Sequence, residues 1–334
     1  MADKDSSRTD SRKTHGSPLF EFFTKYFNII SILGVFILLF AFFSIQADAF
    51  LSLENLVNVG RQIAPTIIVA TMMTFVITTG QIDLSVGSII GLTASALAIL
   101  IQTGSPLFGV AAAIIIAISA GVINGVLSSY GRLPAFIVTL AGLIALRGVA
   151  LLITQGYSTP ISVPWILWLG QGKFLGLFIP TWIAIATVVF GWYLFTQTRF
   201  GRYVVAAGSN AEALRRSGVN VKRILAATLV LTGLFAGVAG ILIAARLATG
   251  SSNSGTLFEL EVITAVVLGG TSLLGGRGSI LGTLIGALTL GIIANGLVLL
   301  RVDVLWVPIT QGVILIVAML LNQSAVDRFQ KRKA

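Results

Sequence analysis

Apolar residues in this 334-residue chain fall in runs that are long and nearly unbroken. A helix needs about 20 residues to cross the hydrocarbon of a bilayer, and on that measure the pattern predicts ten spans. They are Phe27–Ile45, Ile63–Thr79, Val86–Gln102, Leu107–Leu127, Pro134–Ile153, Thr181–Thr196, Ile224–Leu247, Glu259–Leu274, Ile280–Leu300 and Val304–Leu321. Lipid-facing strands would alternate with a period of two, and these runs do not. The expected fold is all-α: a polytopic helical membrane protein of about ten transmembrane helices.

Polar segments divide the chain. Residues 1–26 mix Ser, Asp, Lys and Arg, the composition of a disordered tail. That mixture is too long for the charged start of a signal peptide, and the first apolar run is long enough to remain as an anchor. The transmembrane domain is expected over 27–322, followed by a basic tail, 323–334. Within the domain, 199–223 is the one long polar break. It holds Arg199, Arg202, Arg215, Arg216, Lys222 and Arg223 against a single acid, Glu212. Ser209 or Asn210 can cap a short helix with Glu212 in its first turn and Arg215 and Arg216 in its last, and Gly218 is placed to stop it. This is either a loop that fixes orientation by its charge or a small amphipathic helix held at the mouth of the domain.

Composition excludes an ordinary soluble protein, because 56% of residues are hydrophobic and 10% charged, where soluble domains carry about 25% charged residues; mean hydropathy is +0.97. The net charge of +10 would suggest nucleic acid in a soluble chain. Here orientation explains it better. With the amino terminus inside, 17 of the 22 basic residues face the cytoplasm. Four face outward (Arg61, Lys173, Arg246, Arg301), and Arg147 lies within a span. The asymmetry places both termini in the cytoplasm and leaves no nucleic-acid partner to be expected. The longest outer loop, Thr154–Pro180, carries Pro164, Trp165 and Trp168, which suits the outer interface or an external partner.

No catalytic or metal-binding residues are expected. Cysteine is absent, and the single histidine, His15, lies in the polar tail. No HExxH motif occurs, and no close acidic pair of the kind that binds magnesium-diphosphate in membrane transferases. The glycine-rich stretch Val266–Ser279 lacks the Lys-[Ser/Thr] of a nucleotide-binding loop, so ATP hydrolysis is not expected in this chain. Close packing of spans or a re-entrant kink accounts for the glycines.

Candidate chemistry lies where polar residues meet the apolar runs. In Gly80–Ser88, Ser85 can cap a new helix with Ser88 in its first turn. Backbone that leaves helical geometry at membrane depth must line water or be buried in protein. Asp83, Ser85, Ser88 and, from the fourth span, Asn124 are therefore candidates for a translocation path. The alternative is a tight turn whose aspartate caps the next helix. Arg147 lies roughly 20 Å into its span at about 1.5 Å per residue; it is a functional candidate or a snorkelling side chain. Asn295 also lies within a span. Glu259 and Glu261 open another, where the helix dipole alone would favour them. Val86–Leu97 aligns without gaps to Arg277–Leu288, a possible internal repeat of the kind transporters use.

Four stretches carry a family resemblance: GQIDLSVGS at Gly80–Ser88, GVINGVL to GRLPAFIVTLAGLIALRG across Gly121–Gly148, GRYVVAAGSNAEALRRSGVNV at Gly201–Val221, and Glu259–Leu288. From about Phe50 to Leu321 the chain resembles the permease subunit of bacterial ABC sugar importers of the ribose/xylose/arabinose type, within the branched-chain amino acid permease superfamily. Ribose-type members often read Gly-Gly-Ile-Asp-Leu-Ser, and Gln81 here replaces the second glycine. The resemblance implies a multi-pass protein of the bacterial inner membrane that pairs with a second permease chain as a probable homodimer. It also implies an ATP-binding cassette subunit that uses ATP-Mg, and a periplasmic sugar-binding protein. It assigns ATPase coupling to Gly208, Asn210, Glu212, Arg215 and Gly218, and implies a pentose such as ribose or xylose, or a small polyol, as substrate. The competing readings are a stand-alone secondary transporter and an amino-acid permease of the same superfamily.

Overall fold

The structure, a computed structural model, describes residues 18–303 together with 305, 306, 308–310, 312, 313 and 316, and residues 18–30 by their backbone alone. In chain order its elements are α1 (Pro18–Gln46), α2 (Leu53–Thr78), α3 (Val86–Thr103), α4 (Pro106–Ser129), α5 (Ala135–Thr154), β1 (Thr159–Pro160), α6 (Pro164–Gln171), β2 (Lys173–Phe174), β3 (Leu177–Phe178), α7 (Ile179–Gln197), α8 (Arg199–Arg216), α9 (Val221–Leu247), β4 (Thr249–Gly250), α10 (Phe258–Leu268) and α11 (Ile280–Leu299). Among the described residues, seven helices are long and apolar enough to cross a membrane: α2, α3, α4, α5, α7, α9 and α11.

Six of the predicted spans recur as α3, α4, α5, α7, α9 and α11, with ends within three residues of expectation. Three expectations are corrected. Helix α2 starts at Leu53, well before Ile63, because Ser52 caps it by accepting from Asn55 N at 3.2 Å and its first turns are amphipathic. Helix α1 begins at Pro18, so residues 18–26 are helical where a disordered tail was expected. The span expected over Glu259–Leu274 is not one crossing helix: α10 has 11 residues, about 16 Å at 1.5 Å each, roughly half the hydrocarbon thickness. Residues 1–17, the basic tail 323–334 and most of the tenth span, Val304–Leu321, lie outside the described residues.

Helix α2 is the axis of the bundle. Every residue from Ile63 to Thr78 is buried, as a helix apolar all round must be, and α7, α9, α10 and α11 pack around it. Helices α4 and α5 lie at the periphery, with Ile115, Ile123, Phe136, Ile144 and Leu152 turned outward as a lipid-facing surface. Asn295 of α11 is a clasp: its side-chain amide exchanges hydrogen bonds of 3.0 and 2.9 Å with Asn55 of α2.

Close approach of α4 to α9 depends on glycines. A Cβ on Gly121 would stand 2.9 Å from Leu229 O, one on Gly125 2.9 Å from Ala226 O, and one on Gly233 2.9 Å from both Ala117 O and the Gly121 Cα. Two helix backbones therefore touch, the small-residue packing that membranes favour in place of a hydrophobic drive. At the end of the bundle remote from α8, α6 and the β1–β4 ladder cover the tip of α9, and the β2–β3 ladder lies against α2 and α7. Ile166 of α6 is fully buried there.

Gly121→Leu is expected to destabilise the fold by about 3 kcal/mol or more, because backbone rather than side chain must move. Gly148→Leu on α5, where nothing lies within 4 Å of the added Cβ, should be neutral. Thermal unfolding in detergent compares the two.

Candidate functional site

Both polar interruptions seen in the sequence are breaks of one design. After α2, Gly80 N donates to Ile77 O at 2.9 Å and Gln81 N to Val76 O at 3.2 Å. After α10, Gly270 N donates to Val267 O at 2.9 Å and Thr271 N to Val266 O at 3.2 Å. These paired bonds close a Schellman turn around a left-handed residue, Gly80 at φ +81° and Gly270 at φ +84°. Helix–break–helix occurs twice, and the aligned segments Val86–Leu97 and Arg277–Leu288 fall at the heads of the second helices, the latter beginning three residues before α11. The second occurrence has the longer break: Gly269–Ser279 against Thr79–Ser85.

The first break is locked by its own side chains. Asp83 Oδ1 accepts from Ser85 N at 2.9 Å and Ser85 Oγ at 2.6 Å. Asn124 Nδ2 of α4 donates to Ser85 Oγ at 2.8 Å, Ser88 Oγ donates to Ser85 O at 2.7 Å, and Thr139 Oγ1 of α5 donates to Ile82 O at 3.1 Å. Ser85 does not cap α3 as expected; it stands at the cap position, but its hydroxyl is committed to Asp83 and makes no capping bond. Asp83 takes the turn-forming role, since a carboxylate readily accepts from the backbone two residues on. Asp83, Ser85 and Ser88 are fully buried and Asn124 is 3% exposed. All four path candidates therefore sit in the packed interior, three of them in one network. Among the described residues Asp83 Oδ2 has no hydrogen-bond partner.

Helix α8 stands on both breaks. Gly276 N of the second break donates to Thr78 O at the end of α2 at 2.8 Å. A Cβ on Gly208 would collide with that same Thr78 O and with Gly276 N. Gly275, in turn, has so little room that its added Cβ would stand 2.9 Å from Gly80 N and 3.2 Å from the Gly208 Cα. Phe75 of α2 packs on Phe195 and on Phe200 at 5.2 and 6.0 Å between centroids, fixing the root of α8.

Beyond this contact α8 bends at Asn210, whose backbone is extended (φ −159°, ψ 89°) and whose Oδ1 accepts from Ala213 N at 2.9 Å. Asn210, not Ser209, is the cap. The tip that follows is exposed apart from Leu214 and Val219. Glu212 there receives two hydrogen bonds from Arg215, at 2.9 and 2.8 Å, and one from Arg216 at 3.0 Å. These bonds, those from Arg215 foremost, hold its carboxyl below the ordinary carboxylate range. Gly218 ends the turn at φ +85°. Of the expected coupling residues, Asn210, Glu212, Arg215 and Gly218 are on the exposed tip, and Gly208 faces inward on the breaks.

At the far end, residues 249–257 run down the side of α3. Gly250 abuts Ala94 and Ala98, and Gly255 abuts Gly87 and Ile90. Arg147 of α5 fastens this strap: its guanidinium donates to Ser252 O, to Ser254 O at 3.0 Å and to Gly255 O at 3.2 Å. Arg147 is thus held against the strap by three backbone carbonyls. Helix α10 begins where the strap ends, with the Glu259 carboxylate against Gly87 in the first turn of α3, near two helix N-termini that favour negative charge. Sequence reading did not join Arg61, Gln62, Arg246 and Glu261, which surround a cavity beside α2. The only signal was Glu261, a carboxylate inside an apolar run. Among the described residues no three His, Cys, Asp or Glu side chains come together as metal ligands.

Asn124→Ala leaves the buried Ser85–Asp83 pair without its donor and should cost about 1–3 kcal/mol. The check is the shift in detergent melting temperature, which Ser105→Ala, at the exposed head of α4 with no capping bond, should not reproduce.

No solved structure matches the chain. The ribose import permease protein of Escherichia coli (strain K12) is 41% identical over 293 residues, covering 86% of this chain and 91% of the relative. The L-arabinose ABC transporter permease protein of Azospirillum brasilense is 38% identical over 302 residues (89% and 88%). The xylose transport system permease protein of Escherichia coli (strain K12) is 32% identical over 364 aligned residues (90% and 93%). The family model described as branched-chain amino acid transport system / permease component matches residues 55–320, and the chain belongs to that family.

Proposed function

We propose that two copies of this chain form the membrane pore of an ATP-driven importer for a pentose or a similar small monosaccharide. The observation that carries this reading is the seat of α8. Its exposed tip offers a surface to a partner, while Gly208, one turn behind, touches the ends of both broken elements. A motion imposed on the tip is delivered to the breaks without an intervening loop. The relatives named for ribose, L-arabinose and xylose supply the substrate class.

In this reading a separate ATP-binding cassette subunit binds ATP-Mg and grips Asn210, Glu212, Arg215 and Gly218. A periplasmic sugar-binding protein delivers the solute at the opposite end. Helix α1, the seven long helices, α10 with its break, and 304–321 make the ten expected segments, with both termini on the cytoplasmic side as the basic residues require. Asp83, Ser85, Ser88 and Asn124 frame the path. Their mutual bonds keep the first break rigid, and Asp83 Oδ2 is the atom left to accept from a sugar hydroxyl when the bundle opens. Alternating access then follows from two arrangements of the breaks that differ in their contacts with α8.

Proteoliposomes holding the chain, its ATPase subunit and its binding protein should take up labelled pentose only with ATP. Uptake by the chain alone on an ion gradient would instead establish a secondary transporter. Within the full complex, Gly208→Val should reduce uptake at least tenfold while the ATPase still copurifies. Glu212→Arg combined with Arg215→Glu should lose the ATPase on copurification yet leave membrane insertion intact, because these side chains are solvent-exposed and contribute little to folding.

A further inference from the structure

Two guanidinium groups and a carboxylate face one another across a cavity of about 450 Å³ between α2, α9, α10 and α11. Its polar wall is Arg61 and Gln62 of α2, Arg246 in the last turn of α9, and Glu261 in the first turn of α10. Ile63, Leu290 and Ala294 are apolar lining, and Gly291 lets α11 pass against Ile63, where any side chain would collide. The volume lies within the range of small-molecule sites, about 300–1,000 Å³. It lies at the end of α9 remote from α8, 27 residues or about 40 Å away at 1.5 Å per residue.

These charges make no direct ion pair with one another. Among the described residues the ion pairs are those of Glu212 with Arg215 and Arg216, so neither Arg61 nor Arg246 forms one. Arg61 lies over the Phe178 ring at 4.2 Å, and its Nε has no hydrogen-bond partner. Arg246 Nη1 donates once, to Gln62 O at 3.2 Å. Glu261 accepts once, from Thr66 Oγ1 at 2.8 Å. Polar groups short of protein partners in a part-buried cleft keep donors and acceptors free for a ligand.

The chemistry narrows what that is. A phosphate or carboxylate would suit the arginines and meet Glu261 as a like charge, and a simple cation would do the reverse. A neutral polyhydroxylated molecule satisfies both, since each hydroxyl donates to the carboxylate or accepts from a guanidinium. We infer that this cavity is the sugar-receiving site of the permease, where a monosaccharide leaving the binding protein is first held by Arg61, Gln62, Arg246 and Glu261. The inference rests on the sugar-import reading above and locates that substrate on residues distinct from Asp83, Ser85, Ser88 and Asn124.

The test uses the complete complex in proteoliposomes, supplied with saturating pentose-loaded binding protein. Three variants are compared: Arg246→Gln, Glu261→Gln and Ala294→Phe, the last filling the cavity without changing charge. Each should lower pentose uptake at least tenfold, while loaded binding protein still stimulates ATP hydrolysis to the unsubstituted level. A loss through misfolding or failed docking would abolish both signals. If either charge variant fails to assemble, Ala294→Phe decides. Uptake at the unsubstituted rate in assembled variants overturns the assignment. So does uptake of leucine rather than pentose by the unsubstituted complex, since a zwitterion also matches this charge set. No uptake of either solute by the unsubstituted complex would sink the import reading itself.

Discussion

Backbone that departs from helical geometry inside a membrane protein must find its hydrogen bonds within the protein, because hydrocarbon offers none. In this chain that constraint acts at two places, Thr79–Ser85 and Gly269–Ser279, and the surrounding bundle is arranged to meet it. Each break begins with the same Schellman turn, and the two are then tied together by the bond from Gly276 N to Thr78 O. The first is completed by side chains, Asp83 and Ser85 with Asn124 and Thr139 behind them. The second relies mainly on backbone, with Ser272 N donating to Arg277 O at 3.0 Å, and a side chain closes it only where Ser279 Oγ caps α11 by accepting from Gly282 N at 3.0 Å. This difference makes the second break the more deformable, since glycine backbone with few side-chain anchors has more accessible arrangements.

Glycine serves two separable ends here. Along α4 and α9 it permits backbone contact between helices, which builds a rigid slab. At Gly208, Gly275 and Gly276 it permits three segments to share one point, where any Cβ would drive them apart. A contact made by backbone atoms transmits displacement with little slack, unlike one made by long side chains that change rotamer.

The helical class, the membrane location and the bounds of six helices could be read from the sequence because apolar run length reports them directly. The tip of α8 was equally legible, down to Glu212 in the first turn and Gly218 at the stop, because caps and turns are local chemistry. The short α10 was not. Its apolar run continues through Val266, Val267 and Leu268 into a glycine-rich stretch, and hydropathy does not register where the backbone leaves the helix. Ser85 was misread for a related reason: a serine before a helix can cap it, but Asp83 two residues earlier competes for the hydroxyl. The cavity was invisible because Arg61, Arg246 and Glu261 come from three helices, and two of them looked like orientation signals.

Helix α10 connects these features. Its first turn carries Glu261 on the cavity and Glu259 against the start of α3. Its last turn ends in Gly269 and Gly270, and the break beyond reaches Thr78 and Gly208. At about 16 Å it is too short to cross the whole bilayer; it packs along α11 and α2, and its two ends meet the strap fastened by Arg147 on one side and the glycine break on the other. A ligand that draws Glu261 toward Arg61 and Arg246 changes the contacts at the first end. A partner that moves α8 changes those at the second. Two sites couple when both bias one element with distinct arrangements; α10 with its break is such an element, and so is α2, which carries Arg61 at the cavity and Thr78 at the contact with α8.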